Sequence, residues 1–224
     1  METTDMTGVF RNSFSISIDK RKEDIQRLVF LKENIPLPKI FPGYRNSSLS
    51  NIYRCSLSHE SVIKTAKTMG LENCLIYEED AYPRIDVMRY ANTYLKEVPS
   101  DFDILIIGWI RLFNLPGKKV GMFNKFVPNK STCYGANSYI VSERNYDRII
   151  REFEARDFKC ADNFFEFAEN VYTTKIPLFI QYSTGTSMHN HIGYVLDGDH
   201  KNPPKGFRRI EDYLQNTNAE RTNP

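Results

Sequence analysis

The chain predicts an α/β fold with a mostly parallel central sheet flanked by helices, and three observations predict it. Strand-like and helix-like patterns alternate through the first half in the order strand, helix, strand, helix, strand. Two stretches, 75–77 and 103–107, are short apolar runs of the kind a strand shows when both of its faces are buried. The first of these ends in three adjacent carboxylates, Glu78, Glu79 and Asp80, as a buried strand does when it delivers acids to a sheet edge. Three anions side by side need open solvent or a cation. The carboxyl edge of an α/β sheet is where Mg2+ or Mn2+ and a phosphate-bearing ligand commonly meet.

Taken in order, Ser13-Phe14-Ser15-Ile16-Ser17-Ile18 alternates polar and apolar residues, which predicts a half-buried strand. The charged run Asp19-Lys20-Arg21-Lys22-Glu23 opens a helix through about residue 32. Its cations either face an anion at the sheet edge or are simply solvated. A Pro-punctuated strand follows around Lys39-Ile40-Phe41. Over 51–69, Ile52, Cys55, His59, Val62, Ile63, Ala66 and Met69 fall at helical spacing, with Gly70 as the natural C-cap. That spacing turns His59 inward, as a satisfied core histidine or as one that orients a site residue.

After the carboxylate strand, Ile85, Met88, Ala91, Leu95 and Val98 form the stripe of a helix stopped by Pro99, and residues 103–107 form a strand ending at Gly108. Beyond it the rhythm loosens. Pro116-Gly117 and Pro128-Asn129 mark turns, and Tyr134-Gly135-Ala136-Asn137-Ser138-Tyr139-Ile140-Val141 leads into a helix over 142–156. Asp162 is placed as the N-cap of a short helix, and 176–182 reads as the last strand. The organisation is then an N-terminal extension (1–12), one domain (13–200) and a polar, basic tail (201–224).

The totals narrow the class. In 224 residues, 41% hydrophobic and 26% charged with 13% aromatic, there is material for one sizeable core. A net charge of +2 is too small to imply nucleic acid. No apolar run approaches the roughly 20 residues of a membrane span, and the first residues lack a signal-peptide pattern. The expected location is cytoplasmic. Lys205, Arg208 and Arg209 near Phe207 and Ile210 make the tail either solvated or peripheral to an anionic membrane. Cys55, Cys74, Cys133 and Cys160 form no Cys-x-x-Cys pair, so reduced thiols are expected.

Four separated stretches together resemble glycosyltransferase family 25, which contains lipopolysaccharide and collagen galactosyltransferases. Ser15-Ile16-Ser17-Ile18-Asp19-Lys20-Arg21 is similar to the family's opening strand and basic loop, and Cys55-Ser56-Leu57-Ser58-His59 to its Cys-Ala-Leu-Ser-His segment. Leu75-Ile76-Tyr77-Glu78-Glu79-Asp80 is similar to Leu-Ile-Leu-Glu-Asp-Asp. Tyr134 to Ser142 is similar to its Gly-Thr-x-Ala-Tyr-Ile-Ile-Ser stretch, with Ala161-Asp162-Asn163 after it like Val-Asp-Trp. Arg54, Glu79 and Asn163 stand where the family has Gly, Asp and Trp.

The resemblance implies a GT-A-type nucleotide-sugar-binding fold and a metal-dependent, inverting transfer of a hexose, galactose by analogy, from a UDP-sugar. The acceptor it implies is a saccharide or lipid-linked saccharide of a bacterial surface polysaccharide or lipooligosaccharide. It further implies Asp80, with Glu78, as ligands of Mn2+ or Mg2+, and Ser17, Asp19, Arg21, Ser58, His59, Glu78 and Glu79 around the donor nucleotide. Asp162 takes the place of the catalytic base. If the backbone stays extended through the triplet, Glu78 and Asp80 share one side and Glu79 points away. His189 and His191 could complete a metal shell or be surface histidines. Two other classes stay open: a non-catalytic relative that binds sugars or partners, and a metal-dependent phosphoester hydrolase using Glu78, Asp80 and the histidine pair.

Overall fold

The computed structural model describes residues 6–109, 111–113, 119–126, 132–134, 137–155, 165 and 168–181. The first half comprises α1 (Met6–Arg11), β1 (Ser13–Ser17), α2 (Lys20–Lys32), β2 (Lys39–Pro42), α3 (Asn51–Thr68), β3 (Asn73–Glu78), β4 (Ala81–Pro83), α4 (Val87–Leu95) and β5 (Ile104–Gly108). Then come β6 (Arg111–Phe113), β7 (Lys119–Val120), β8 (Phe123–Lys125), β9 (Thr132–Tyr134) and β10 (Ser138–Ser142). A 3-10 turn (Glu143–Asn145), α5 (Tyr146–Ala155), β11 (Val171–Thr174) and β12 (Phe179–Gln181) complete the described elements.

The main sheet has the order β2-β1-β3-β10-β5-β11-β8-β7, with β12 joining β5 to β4. β1 is parallel to β2 and β3, and β5 to β11, while β10 runs antiparallel between β3 and β5. Beyond β11, β8 runs antiparallel to both β11 and β7, while the central strands are largely parallel with β10 reversed among them. The consequence is geometric: the exits of β1, β3 and β5 and the entry of β10 share one edge. Ser138 pairs with both Tyr77 and Gly108 there.

Both faces of the sheet are covered, which is why β3 and β5 read as apolar runs. Cys74 and Ile76 of β3 pack with Val62, Ile63 and Ala66 of α3 and Ile149 and Phe153 of α5. Leu75 and Tyr77 face the other way, onto Val9 and Phe10 of α1, Phe30 of α2, and Val87, Ala91 and Tyr94 of α4. Each such aliphatic side chain fully withdrawn from water contributes roughly 1.5–3 kcal/mol. Residues 6–11 of the expected extension thus supply a helix whose Val9 and Phe10 are in the core.

α3 has the expected ends. Ser50 accepts the Tyr53 backbone N–H at 3.2 Å, and Gly70, at φ +65°, closes the helix. The Gly70 N–H reaches the Lys67 carbonyl and that of Leu71 the Ala66 carbonyl, the double bond of a Schellman motif.

Several expectations are corrected. β1 is buried on both faces instead of one, because its polar residues meet protein partners in place of water. Ser13 Oγ donates to the Phe10 carbonyl at 2.6 Å, and Ser15 Oγ to Gln26 Oε1 at 2.5 Å. The charged run after it opens α2, which ends at Lys32 as expected. α4 begins at Val87, since Asp86 at φ 57° lies outside helical backbone and leaves Ile85 before the helix. Residue 142 ends β10, and the helix expected from it starts only at Tyr146 after the 3-10 turn. The last described strand is Phe179–Gln181, and Ile176 is exposed before it. Among the described residues no helix is long and apolar enough to cross a membrane. The tail 201–224 lies outside the described residues.

Candidate functional site

The sheet edge gathers its polar groups around the exit of β3. Extended backbone stops at Glu78, and Glu79 and Asp80 form a turn into β4. Gln26 of α2 holds this turn: its Nε2 donates to the Glu78 carbonyl at 2.7 Å and to the Ala81 carbonyl at 3.5 Å. The alternation expected for an extended triplet therefore does not apply, and the three carboxylates find three different environments.

Glu79 faces back across the edge. Its Oε2 accepts the backbone N–H groups of Ile18 at 2.6 Å and Asp19 at 2.8 Å, tying the turn to the exit of β1. Burial pushes its pKa up, and this outweighs the lowering by the two N–H groups and Lys22. A carboxyl whose pKa is higher folded than unfolded contributes stability fully below its ordinary value of 4.5, and loses it as pH rises through the folded pKa. Unfolding free energies from urea melts should therefore fall for the wild type relative to Glu79→Gln as pH rises from below 4.5, by at most about 1.4 kcal/mol per pH unit. Parallel profiles for the two proteins would show that Glu79 does not carry the dependence.

Asp80 is buried at 8% exposure and takes Lys22 Nζ at 3.2 Å and Gln181 Nε2 at 3.3 Å, both on Oδ2. Its Oδ1 is buried with no hydrogen-bond partner among the described residues, and so is Gln181 Oε1. An orphaned carboxylate oxygen in a dry site is costly, which suits a site that a ligand completes. Burial works against the charge on Lys22, but the Asp80 carboxylate, their hydrogen bond and Glu79 outweigh it and hold its pKa above the usual value. Of the three loop cations only Lys22 reaches these acids: Lys20 pairs with Glu23 and Asp24, and Arg21 is exposed. Hard oxygen donors and an excess of carboxylate over ammonium fit Mg2+ or Mn2+.

Glu78 belongs to a separate group. Its Oε1 lies 3.5 Å from His59 Nε2, while His59 Nδ1 meets the Tyr139 hydroxyl at 2.5 Å. His59 is thus both a buried histidine with a partner and a contact of a strand-end carboxylate. Cys55, one turn earlier on α3, completes a group in which the thiol, the imidazole and the carboxylate each offer a ligand atom within 4.8 Å of the others. The Tyr139 ring stacks on His59 and meets Phe165 edge-on, walling this group from one side.

The remaining predicted residues sit as follows. Asp19 caps α2, its Oδ1 accepting the Arg21 and Lys22 backbone N–H groups. Ser17 is buried at the end of β1, and its carbonyl accepts Gly43 N–H. Ser58 Oγ bridges the Arg54 carbonyl and the Tyr44 N–H, fixing the loop before α3. The Arg54 guanidinium bonds Asn51 Oδ1. Asp162, His189 and His191 lie outside the described residues.

Gln26, Gln181 and Tyr139 were not among the sequence candidates, and Lys22 was read only as one of three loop cations that either face an anion or are solvated. Lys22 had a readable signal: with Gln26, Val29 and Phe30 it falls at helical spacing on the inward face of α2. Gln181 and Tyr139 had none, because only long-range strand pairing brings them to this edge.

No protein-family model matches the sequence, and no curated protein matches it. Solved structures are similar to it, three of them as follows. One is a glycosyltransferase involved in glycosylation of the major capsid of PBCV-1, at 10% identity and TM-score 0.48, covering 78% of this chain and 93% of that one. Another is mannose-1-phosphate geranyltransferase from Thermus thermophilus, at 8% identity and TM-score 0.42, covering 72% of each chain. A third is a point mutant of Drosophila β-1,4-galactosyltransferase 7 in complex with manganese, UDP-Gal and xylobiose, at 14% identity and TM-score 0.35, covering 61% of this chain and 50% of that one. At these scores the likeness assigns neither a reaction nor a ligand to this chain.

Proposed function

We propose that the chain is a GT-A-type glycosyltransferase, akin to family 25, that moves a hexose from a UDP-sugar to a saccharide or lipid-linked saccharide acceptor. Galactose as the sugar, inversion at the anomeric carbon and a place in bacterial surface polysaccharide or lipooligosaccharide synthesis follow from the family-25 resemblance. The observation that carries the reading is Asp80: a buried carboxylate at the exits of parallel strands, paired to Lys22 and Gln181, with one oxygen unclaimed among the described residues.

Asp80 would hold Mn2+ or Mg2+, which when bound supplies neutralisation of the diphosphate leaving group. Lys22 adds a second positive charge against that diphosphate. Gln26 and Glu79 hold the turn in shape, so that Asp80 needs no reorganisation on binding. Asp162 takes the proton of the acceptor hydroxyl as that oxygen bonds to the anomeric carbon and the bond from the carbon to the diphosphate oxygen breaks.

Calorimetry with UDP, with and without Mn2+, tests the reading. Metal-dependent UDP binding is expected, and the absence of UDP affinity in both conditions sinks it. Phosphate release from simple esters without UDP affinity would point to a hydrolase instead. Asp162→Asn should lower turnover by orders of magnitude with donor affinity kept, and near-normal turnover would remove Asp162 from the role.

A further inference from the structure

The group on the other face of β3 has donors of a different chemical kind. We propose that Cys55, His59 and Glu78 form a second cation site, for a borderline divalent ion of the Zn2+ class, distinct from the oxygen-donor site at Asp80. Cys55 and His59 are four residues apart on α3, the spacing that puts two side chains on one helical face. Glu78 reaches them from the last position of β3. The ligand atoms lie within 4.8 Å of one another, and the His59–Glu78 pair is already at 3.5 Å. A tetrahedral ion with bonds of about 2.0–2.3 Å needs only a modest inward turn of the Cys55 side chain.

Three features select the ion. Thiolate and imidazole donors favour Zn2+ over the hard ions Mg2+ and Mn2+. The Tyr139 hydroxyl on Nδ1 holds the ring with Nε2 toward Glu78, the orientation that ligation through Nε2 requires. His59 is 1% exposed whereas Cys55 is half-buried, so the group is sheltered yet open to entry from the thiol side. On binding, the Cys55 thiol gives its proton to solvent and its sulfur becomes a ligand. Three protein ligands leave the fourth position for water or an anion.

The test uses the full reduced chain, stripped with chelator, and needs no nucleotide, so its outcome is independent of the UDP reading. Titrated Co2+ should raise a thiolate-to-cobalt charge-transfer band in the near ultraviolet together with tetrahedral visible bands. Cys55→Ser should lose the charge-transfer band and Cys160→Ser keep it. Tyr139→Phe should weaken the affinity by about 10- to 100-fold with the band retained. No band in the wild type, or a band that survives Cys55→Ser, overturns the proposal. Alkylation of Cys55 in the wild type, mapped by mass spectrometry, covers the case in which a variant misfolds. Zn2+ should protect the thiol, and equal labelling with and without Zn2+ also overturns the site.

Discussion

Asp80→Asn should reduce metal-dependent UDP affinity by at least about 100-fold and bring turnover to background, with the fold retained. Asparagine keeps the shape of the side chain and an acceptor oxygen for Lys22, so the packing at the turn survives. What it lacks is the anionic oxygen that Asp80 holds buried with no partner among the described residues. Glu79→Gln makes the contrast. It removes a charged acceptor of two backbone N–H groups that join β1 to the turn, so its first effect is on stability. Calorimetry with UDP and Mn2+ on both variants, beside their urea midpoints, separates the roles. Unchanged UDP affinity in Asp80→Asn would take the ion away from this residue. Equal losses of affinity in both variants would mean that the turn acts as one unit.

How much of this was legible in the sequence depends on the range of the interactions. β3 and β5 were readable because burial on both faces makes an unbroken apolar run, and α3 because its stripe and its Gly70 stop are local. The carboxylates at a sheet edge followed from the same reasoning. The division of labour among them did not, since the alternation rule assumes extended backbone and the chain turns at Glu79. That turn is held by Gln26, which lies 52 positions from Glu78 in the chain. β10 shows the same limit: Ser138-Tyr139-Ile140-Val141 is visibly apolar, but nothing local says that it slots antiparallel between β3 and β5. With that placement come Tyr139 against His59 and Ser138 against Gly108. The Cys55–His59 spacing was in the sequence; the approach of Glu78 was a product of the fold.

Gly108→Ala should be among the most damaging single-methyl substitutions at this edge, costing about 1–3 kcal/mol or more. Gly108 ends β5 where three strands converge, pairing with Ser138 of β10 and Phe179 of β12. A Cβ there would lie 2.3 Å from Asn137 Oδ1 and 2.8 Å from the Cβ atoms of both Phe179 and Ser138. Cβ atoms are carried by the backbone, so no rotamer change relieves the clashes with Phe179 and Ser138, and the strands themselves have to part. Gly70→Ala offers the opposite case: open space around the new methyl but a left-handed backbone, with an expected cost of about 1 kcal/mol. Urea midpoints of the two variants should rank Gly108→Ala well below Gly70→Ala. Because β12 also carries Gln181 to Asp80, parting β12 from β5 should loosen that contact and weaken metal-dependent UDP binding in Gly108→Ala alone. A Gly108→Ala protein as stable as the wild type would mean that β12 does not pack against β5 as closely as the pairing of Phe179 with Gly108 requires.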